Sequence, residues 1–586
     1  MSQIQHERRS GRMPGYGWVA RHIGGCGEAM RDAWRVLRAE HSELIEDVAD
    51  AKRFVWLGSG ISLKQVPGLV DLISRVLSFL RDKAISGDAD AGDHEDALRQ
   101  ILTQYLPQET SRFEADRSGW VPKEKRLPGL ASSYSDLLSI GVVGKPSDYL
   151  LMEGAKLAEL YGDPSLVPGP THLLIATLVY EGAVSKLASG NWDGLVEKAL
   201  KTISADESLI DVYVDVNDPR EGSGDAELAK FHGCAVLALD QPGKYRAKII
   251  ATTAQISSLH GDPDFQHMRD WLLERTTRQR SLILGLSVQD ADLLAIFRLS
   301  ASRSPWPWQV EHPAYVFAEP AVSPSQRTVL EVAYGTSYGD ARREIDSRSA
   351  LGSYAGPVVA ALAIEVLAAK YQTALSRHGD LPSTVLDVLQ AGVRRLVLRI
   401  VAAFGRDESV LVEFLLGPYA DFMRTYFGPH SVGQSGYVPF VRGTRAQLRN
   451  GHAVLGMAAD RLALVVGVLG VGEAERRWRV SLKEEARASR IRVARKGAGP
   501  GVTLIAVRGQ REAIEVMACD DWVRGNEEMV LLQMDTARGA SPRSPKGGLG
   551  KGRGARRRRE LDWAEVAESV GSHDELLVRF ETGVLL

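Results

Sequence analysis

The sequence predicts an α/β fold in the N-terminal half, built on a mainly parallel sheet, followed by a helical region and a small mixed α/β region. Three observations support this prediction. Strand-like apolar runs alternate with helical patterns between residues 50 and 300, helical patterns dominate from residue 325 to 430, and strand-like runs return after residue 500. Since alternating strands and helices form parallel sheets, the loops that follow the strands are where we expect chemistry.

Length, charge and cysteine content bound the class of protein. At about 150 residues per domain, 586 residues suggest three or four domains, and a net charge of -2 argues against a general polyanion binder. Cys26, Cys234 and Cys519 are too far apart in sequence for a disulfide framework or a metal-ligand set. Met1–Trp18 lacks an apolar signal region, and Leu462–Val471 is too short to span a bilayer. We therefore expect a soluble, cytoplasmic protein that holds no metal and contacts no membrane.

The patterning divides the chain into four parts. We expect a helical N-terminal extension (1–50), a parallel-sheet domain (51–303) with a helical insertion at about 85–145 that caps the sheet, a helical domain (325–430), and a mixed α/β C-terminal region (431–586) with a flexible basic loop (537–559). The Pro- and Trp-rich segment Ser304–Pro324 marks the end of the sheet domain.

The period of the apolar residues predicts the elements of the sheet domain. Short continuous apolar runs indicate buried strands, and apolar residues spaced by three or four indicate helices. In chain order we expect strand Phe54–Leu57, helix Gly68–Asp82, a helix from Thr171 to about Gly182, strand Val184–Leu187, helix Gly194–Ile203, strands Leu209–Val216 and Cys234–Leu239, a candidate strand Lys248–Thr252, helix Asp264–Thr277, strand Ser281–Leu286 and helix Asp290–Leu299.

The same signals predict a helical region and then a mixed one. The expected elements are helix Gly356–Leu375, a helix with an apolar stripe from Leu386 to Phe404, helix Ser409–Tyr426, a helix around Val454–Gly467, and strand-like runs Val502–Arg508, Ala513–Ala518, Met529–Met534 and Leu576–Phe580.

A glycine turn follows the first strand of the predicted sheet. Leu57-Gly58-Ser59-Gly60-Ile61-Ser62 leads from the strand towards the long helix that begins near Gly68. In parallel sheets such a turn lets backbone amides approach a dinucleotide pyrophosphate, and the helix N-terminus favours negative charge. A Gly-x-Gly turn alone is also compatible with an ordinary tight turn.

Three further polar segments adjoin strands of the same sheet. They are Asn191-Trp192-Asp193, Lys230-Phe231-His232-Gly233, and Gly285-Leu286-Ser287 with Asp290. Because the carboxyl ends of parallel strands share one edge, these segments and the glycine turn could line one crevice.

These four segments together resemble the sirtuin family. They correspond to its Gly-Ala-Gly-x-Ser loop, its Asn-x-Asp loop, its Lys-x-His-Gly motif and its late Gly-Ser strand end, in the same order and over roughly residues 50–300. The resemblance implies a Rossmann-like NAD-binding domain. Within the family, the sequence is most similar to bacterial sirtuin-like domains of anti-phage defence proteins, which hydrolyse NAD instead of deacylating proteins.

The sequence departs from protein-deacylating sirtuins in three places. The interval 194–284, where they carry a four-cysteine zinc module, contains only Cys234, so no zinc is expected. Val66-Pro67-Gly68 resembles their Gly-Ile-Pro, but Leu69-Val70-Asp71 replaces the Asp-Phe-Arg that follows. Gly190 stands where they have a Gln before the Asn. These departures weaken an acyl-lysine reaction more than NAD binding.

The resemblance implies a role for each site residue, with NAD as the substrate. On the phosphate and adenosine side, backbone N–H groups of Gly58–Gly60 would hold the pyrophosphate and Ser62 would bind a phosphate or ribose. Gly285 and Ser287 would border the adenosine ribose, and Asp290 belongs to the same NAD-binding set.

The nicotinamide side would carry the chemistry. Asn191 would orient the nicotinamide ribose or the attacking water, and Asp193 would accept from the carboxamide. His232 suits general base catalysis because an unperturbed imidazole titrates at about pH 6.5.

Each of these residues also has a structural interpretation. Asn191 and Asp193 could cap the helix that begins at Gly194, and His232, Gly285 and Ser287 could be turn residues. His172, at the start of an apolar helix, is interpreted as structural. Arg553–Arg559 could contact nucleic-acid phosphates, although a solvated basic loop is the favoured interpretation.

Three functions therefore remain open. The favoured one is an NAD glycohydrolase effector of abortive-infection defence, regulated by the residues beyond 303 through homo-oligomerisation or a partner. The resemblance offers a hexameric ATPase translocase, a short Argonaute or a phage protein as that partner. The alternatives are an NAD-dependent protein deacylase and a non-catalytic sensor of NAD or ADP-ribose.

Overall fold

A six-stranded parallel sheet forms the centre of the N-terminal half. The computed structural model describes residues 29–204, 209–215, 218, 224–258, 263–378, 381–427, 436–450, 458–481, 492–495, 501–507, 529–533 and 558–585. Its sheet has the order β3-β4-β2-β1-β5-β6, every neighbouring pair being parallel. The strands are β1 Arg53–Leu57, β2 Lys186–Ser189, β3 Ile210–Tyr213, β4 Ala226–Lys230, β5 Arg280–Leu284 and β6 Tyr315–Phe317.

Helices cover both faces of this sheet and extend before it. The helices up to β3 are α1 Ala29–Glu40, α2 Ser42–Ala49, α3 Leu69–Ala84, α4 Ala91–Tyr105, α5 Pro107–Ala115, α6 Tyr134–Leu138, α7 Leu157–Tyr161, α8 Pro170–Tyr180 and α9 Leu195–Ile203. Those between β4 and residue 349 are α10 Ala235–Asp240, α11 Pro242–Tyr245, α12 Thr253–Ser258, α13 Pro263–Arg278, α14 Ala291–Arg303, α15 Pro324–Tyr334 and α16 Thr336–Ser349. The predicted α/β fold is confirmed.

The helical region packs directly on one face of the sheet. Its long helix, Ala355–Ser376, shares one continuous apolar core with Val55, Leu57 and Leu187. On the opposite face, Phe54 and Trp56 pack among residues of α13, α14 and α15. The region contains α17 Ala355–Ser376, α18 Ser383–Phe404, α19 Glu408–Phe414, α20 Ala420–Phe427, α21 Arg445–Arg449 and α22 Ala458–Ala474.

By length and composition alone, α17 could cross a membrane. It has 22 residues, but 89% of its most apolar window is buried within the protein. Its position as a core helix accounts for that apolar composition, because every side of it meets other elements.

A second sheet of five strands forms the C-terminal region. Its order is β11-β10-β9-β8-β7, with β9, β10 and β11 parallel and β7, β8 and β9 antiparallel. This confirms the mixed α/β class of that region. The elements are β7 Trp478–Ser481, β8 Arg492–Arg495, β9 Val502–Val507, β10 Met529–Gln533, β11 Arg558–Asp562, α23 Trp563–Ala567 and α24 His573–Leu585.

Several element assignments from the sequence are wrong. Cys234–Leu239 lies largely in helix α10: Cys234, Ala235 and Ala238 are buried while Val236 and Leu239 are exposed, which is helical spacing. The strand precedes the Lys-x-His-Gly motif instead, as β4. Its charged residues Glu227 and Lys230 make it hard to recognise as a strand in the sequence. In the structure both side chains form ion pairs with other elements.

Two other strand assignments also fail. Lys248–Thr252 contains no strand, and Leu576–Phe580 lies in α24, where Leu576, Leu577 and Phe580 are buried at helical spacing. Ala513–Ala518 and most of the basic loop 537–559 lie outside the described residues; Arg558 and Arg559 begin β11.

The sheet extends past residue 303, where the sequence analysis places its end. Strand β6 lies within Ser304–Pro324 and pairs with β5 through Ser281–Tyr315, Leu282–Val316 and Ile283–Phe317. With only three residues, this strand is too short to show a period in the sequence.

Candidate functional site

The four segments identified in the sequence meet at the carboxyl edge of the parallel sheet. The glycine turn follows β1, Asn191 follows β2, His232 follows β4 and Gly285 follows β5. Because all four strands are parallel neighbours in one sheet, their exits lie side by side.

The glycines of the first turn allow two loops to approach each other. A Cβ atom added at Gly58 would lie 2.4 Å from the Gly285 carbonyl oxygen, and one at Gly60 would lie 2.7 Å from the Gly285 Cα atom. Gly285 itself has φ of +64°, and a Cβ there would lie 2.8 Å from the Ile61 nitrogen. These three glycines are therefore required by the packing of the β1 loop against the β5 loop.

The same packing occupies two of the backbone N–H groups that the sequence predicts to bind the pyrophosphate. The Gly58 N–H donates to the Leu284 carbonyl at 3.0 Å, and the Gly60 N–H donates to the Gly285 carbonyl at 2.9 Å. Ser59 is exposed, and its hydroxyl makes no hydrogen bond with any described residue. In this conformation Ser59 is the residue of the turn that remains available to a phosphate.

Asn191 is held against the glycine turn. Its Nδ2 donates to the Gly58 carbonyl at 3.1 Å and to the Ser62 hydroxyl oxygen at 3.3 Å. The side chain does not cap the following helix, and among the described residues none donates to its Oδ1 atom. Ser62 is fully buried behind Asn191, with its oxygen directed to Asn191 and His172.

Asp193 makes two contacts, one through its side chain and one through its carbonyl oxygen. Its Oδ1 accepts the N–H of Leu195, the first residue of α9, at 3.1 Å, although the N-cap of that helix is Gly194. Its carbonyl oxygen accepts from the buried Lys230 ammonium, which also binds Glu197 Oε1 at 3.0 Å. The lysine of the Lys-x-His-Gly motif thus fastens the Asn191 loop to the end of β4.

His232 forms a buried pair with an acid from helix α14. Its Nε2 lies 3.0 Å from Oδ2 of Asp292, in the first turn of α14. Burial opposes protonation, but the carboxylates of Asp292 and Asp290 outweigh it and raise the pKa of His232 above its ordinary value. With Nε2 directed to Asp292, Nδ1 is the ring atom that can accept a proton.

The two loops that carry Asn191 and His232 are in direct contact. A Cβ atom added at Gly190 would lie 3.1 Å from the Phe231 ring and 3.6 Å from His232 Nδ1. Gly190 therefore keeps the space beside Nδ1 clear of a side chain.

Asp290 lies beside this pair. Its Oδ1 accepts from the Tyr134 hydroxyl at 3.4 Å, which connects the site to the helical insertion. Burial and the neighbouring Asp292 raise the pKa of Asp290, although His232 and Tyr134 oppose the shift. His232, Asp290 and Asp292 each offer a donor atom within 4.8 Å of the others, so this set could hold a divalent cation.

Ser287 takes no part in these contacts. Its side chain is exposed, and its carbonyl oxygen accepts from the Ser325 hydroxyl at 2.8 Å. Sequence reasoning missed Asp292, although Asp290 and Asp292 stand two residues apart where the loop after β5 enters α14, and such a pair of acids is a recognisable signal. His172, which the sequence favours as a structural residue, contacts Ser62.

Comparison with known proteins agrees with this geometry. Residues 186–338 match the family model of a SIR2-like domain, so the chain contains such a domain. The matched range begins at β2 and ends beyond β6, and it includes Asn191, His232 and Asp292. No curated protein matches the sequence. SIR2-like domains use NAD, which supports NAD-related activity for this site.

Proposed function

We propose that the SIR2-like domain of this chain is an NAD glycohydrolase, which cleaves NAD to nicotinamide and ADP-ribose. The proposal rests mainly on the placement of Asn191 and His232 in two loops that contact each other. Each side chain has one atom fixed by the protein, Nδ2 and Nε2, and one atom without a partner among the described residues, Oδ1 and Nδ1. A polar acceptor and a base held in this way suit the positioning of a sugar hydroxyl or a water molecule.

The reaction requires little covalent work from the protein. The bond between the nicotinamide nitrogen and C1′ of the ribose breaks, its electron pair leaves with neutral nicotinamide, and water oxygen bonds to C1′. The proton lost by water passes to Nδ1 of His232, whose imidazolium the Asp292 carboxylate stabilises. Oδ1 of Asn191 would accept from the water or from a ribose hydroxyl.

The absent zinc module favours hydrolysis over deacylation. Between residues 194 and 284 the sequence has one cysteine, Cys234, which is buried in the core of the helical insertion. Leu69-Val70-Asp71 begins helix α3 with an apolar face, and Asp71 accepts the Gly68 N–H at 3.2 Å. Both features depart from the pattern of the protein-deacylating sirtuins, which supports hydrolysis as the proposed reaction.

Nicotinamide release by the purified full chain tests this function. We expect wild-type protein to release nicotinamide from NAD without any peptide, and Asn191→Ala and His232→Ala to lose about 10²–10⁴-fold in rate. Asn450→Ala and His267→Ala, at exposed positions away from the site, are the matched controls. Full activity in both site variants would refute the assignment, and release that depends on an acetylated peptide would indicate a deacylase.

A non-catalytic sensor would give a third result. Wild-type protein that binds NAD or ADP-ribose but releases no nicotinamide, with or without infected-cell lysate, would identify it as a sensor.

The cellular role that we propose is abortive-infection defence. Unregulated NAD hydrolysis would poison the host, so the activity must be restrained until infection. We propose that the residues beyond the SIR2-like domain supply this control in the cytoplasm, through homo-oligomerisation or through an ATPase translocase, a short Argonaute or a phage protein. Cells carrying the wild-type chain should lose NAD only after phage addition, and cells carrying Asn191→Ala should keep it.

A further inference from the structure

We propose that His172 is a positioning residue, which fixes the orientation of the Asn191 amide by acting through Ser62. The proposal rests on the proposed NAD hydrolysis, because Asn191 is its site of action. His172 lies in the first turn of α8, and both it and Ser62 are completely buried. It therefore contacts the site from behind and cannot touch NAD itself.

The hydrogen bonds of His172 define its tautomer. Nδ1 lies 3.2 Å from the Gly169 backbone N–H, which can only donate, so Nδ1 must accept. The proton of the neutral ring is then on Nε2, and Nε2 donates to the Ser62 hydroxyl oxygen at 3.0 Å. Burial lowers the pKa of His172, against the opposing charge of Asp193, and so favours this neutral ring.

Ser62 transmits this constraint to Asn191. Its hydroxyl oxygen accepts from His172 Nε2 on one side and from Asn191 Nδ2, at 3.3 Å, on the other. The second hydrogen of Nδ2 goes to the Gly58 carbonyl at 3.1 Å. With both hydrogens directed inward, the amide cannot flip without losing two bonds, and Oδ1 stays directed towards the site.

The helix that carries His172 is fixed at its other end. Glu181 follows α8 and forms a buried ion pair with Lys370 of α17, Oε2 to Nζ, at 2.7 Å. Glu181 Oε1 also accepts from the Tyr437 hydroxyl at 2.7 Å. His172 therefore acts from a rigid support and not from a loop.

Two substitutions separate the structural role of His172 from the positioning role. In His172→Asn, the amide oxygen can still accept the Gly169 N–H, but the side chain is too short to reach Ser62. In His172→Gln, the amide nitrogen can reach Ser62. We expect His172→Asn to lower kcat about 10- to 100-fold with little change in KM for NAD, because the amide loses its orientation. His172→Gln should recover about tenfold of that loss.

His94 supplies the matched control. It is also a fully buried helix histidine with two hydrogen bonds, Nδ1 to the Asp90 carbonyl and Nε2 to the Tyr149 hydroxyl, but it belongs to the insertion. His94→Asn should lower the melting temperature without changing kcat per folded molecule. If His172→Asn behaved in the same way, His172 would be structural only and the proposal would be overturned.

A double-mutant cycle with Ser62→Ala tests the route. If His172 acts through Ser62, adding His172→Asn to Ser62→Ala should cost no further activity. Losses that multiply would overturn the proposal while leaving NAD hydrolysis intact. Wild-type protein that releases no nicotinamide would instead refute the proposed function. Nicotinamide release by wild type is therefore measured before the variants are compared.

Discussion

Nε2 of His232 lies 3.0 Å from Oδ2 of Asp292, so an acid in the first turn of α14 orients the histidine that follows β4. The contact fixes the imidazole with one nitrogen inward and leaves Nδ1 as its basic atom. Oδ1 of Asp292 is buried and has no hydrogen-bond partner among the described residues. Burying a carboxylate in this way costs desolvation free energy, which supports a role for Asp292 in acting on His232.

The first prediction concerns the pH dependence of activity. A base works only when deprotonated, and the pKa of His232 is raised, so activity should fall as the pH drops through a value above about 6.5. In Asp292→Asn the stabilising charge is lost while burial persists, so the acid limb of kcat/KM should move to lower pH. The plateau rate should also fall, by roughly 10².

Asp290→Asn is the comparison for this shift. Asp290 also raises the pKa of His232, but without a hydrogen bond to it, so its removal should move the acid limb less. A profile that stays in place in Asp292→Asn would exclude His232 as the titrating base.

The second prediction concerns the glycine turn. An alanine Cβ at Gly60 would lie 2.7 Å from Gly285 Cα, which is backbone and cannot yield easily. Gly60→Ala should therefore destabilise the protein by about 1–3 kcal/mol and lower the NADase rate. Thermal melting measures the first effect and nicotinamide release the second.

Gly92→Ala is the control for that substitution. Gly92 lies in α4, where an added Cβ has nothing within 4 Å, so alanine should be neutral or stabilising. Equal melting temperatures for Gly60→Ala and wild type would contradict the observed packing of the two loops.

Sequence reasoning located the site because its residues follow strands, and strand order is readable from local patterns. It placed the glycine turn, Asn191 and His232 at one edge, which the parallel pairing of β1, β2, β4 and β5 bears out. It misplaced β4 because Glu227 and Lys230 are charged residues within a strand, and their ion-pair partners, Lys186 and Glu197, come from other elements. Those partners are distant in sequence and carry no local signal.

The roles within the site were harder to predict than its location. The backbone groups of Gly58 and Gly60 were expected to bind phosphate, yet in the structure they bind the β5 loop. Loop-to-loop contact depends on how two strand exits are spaced, which no single motif encodes. The same holds for His172, whose distance from Ser62 is set by the packing of α8.

The third prediction concerns the buried pair between the sheet domain and the helical region. Lys370 Nζ binds Glu181 Oε2 at 2.7 Å and the Val441 carbonyl at 2.8 Å, with no exposure to solvent. Lys370→Met should destabilise the protein by about 3–5 kcal/mol, because Glu181 would be left as an unpaired buried charge. Adding Glu181→Gln should recover part of that loss.

Lys201→Met, at an exposed position on α9, is the matched control and should leave the melting temperature unchanged. If Lys370→Met had the same melting temperature as wild type, the ion pair would not hold the two regions together.

The fourth prediction is that a chain ending at Arg303 will not fold. Such a chain lacks β6, whose Val316 and Phe317 are completely buried, and it lacks α17, which covers Leu57 and Leu187. We expect it to be insoluble or to melt without cooperativity, and to release no nicotinamide. Circular dichroism on heating and the nicotinamide assay test this directly. A soluble, active fragment would show instead that the remaining residues only regulate the domain.

If the fragment fails as expected, regulation by the residues beyond the SIR2-like domain has to be sought in the full chain. Substitutions at exposed positions of the helical region, such as Leu398 and Val410, would test it there.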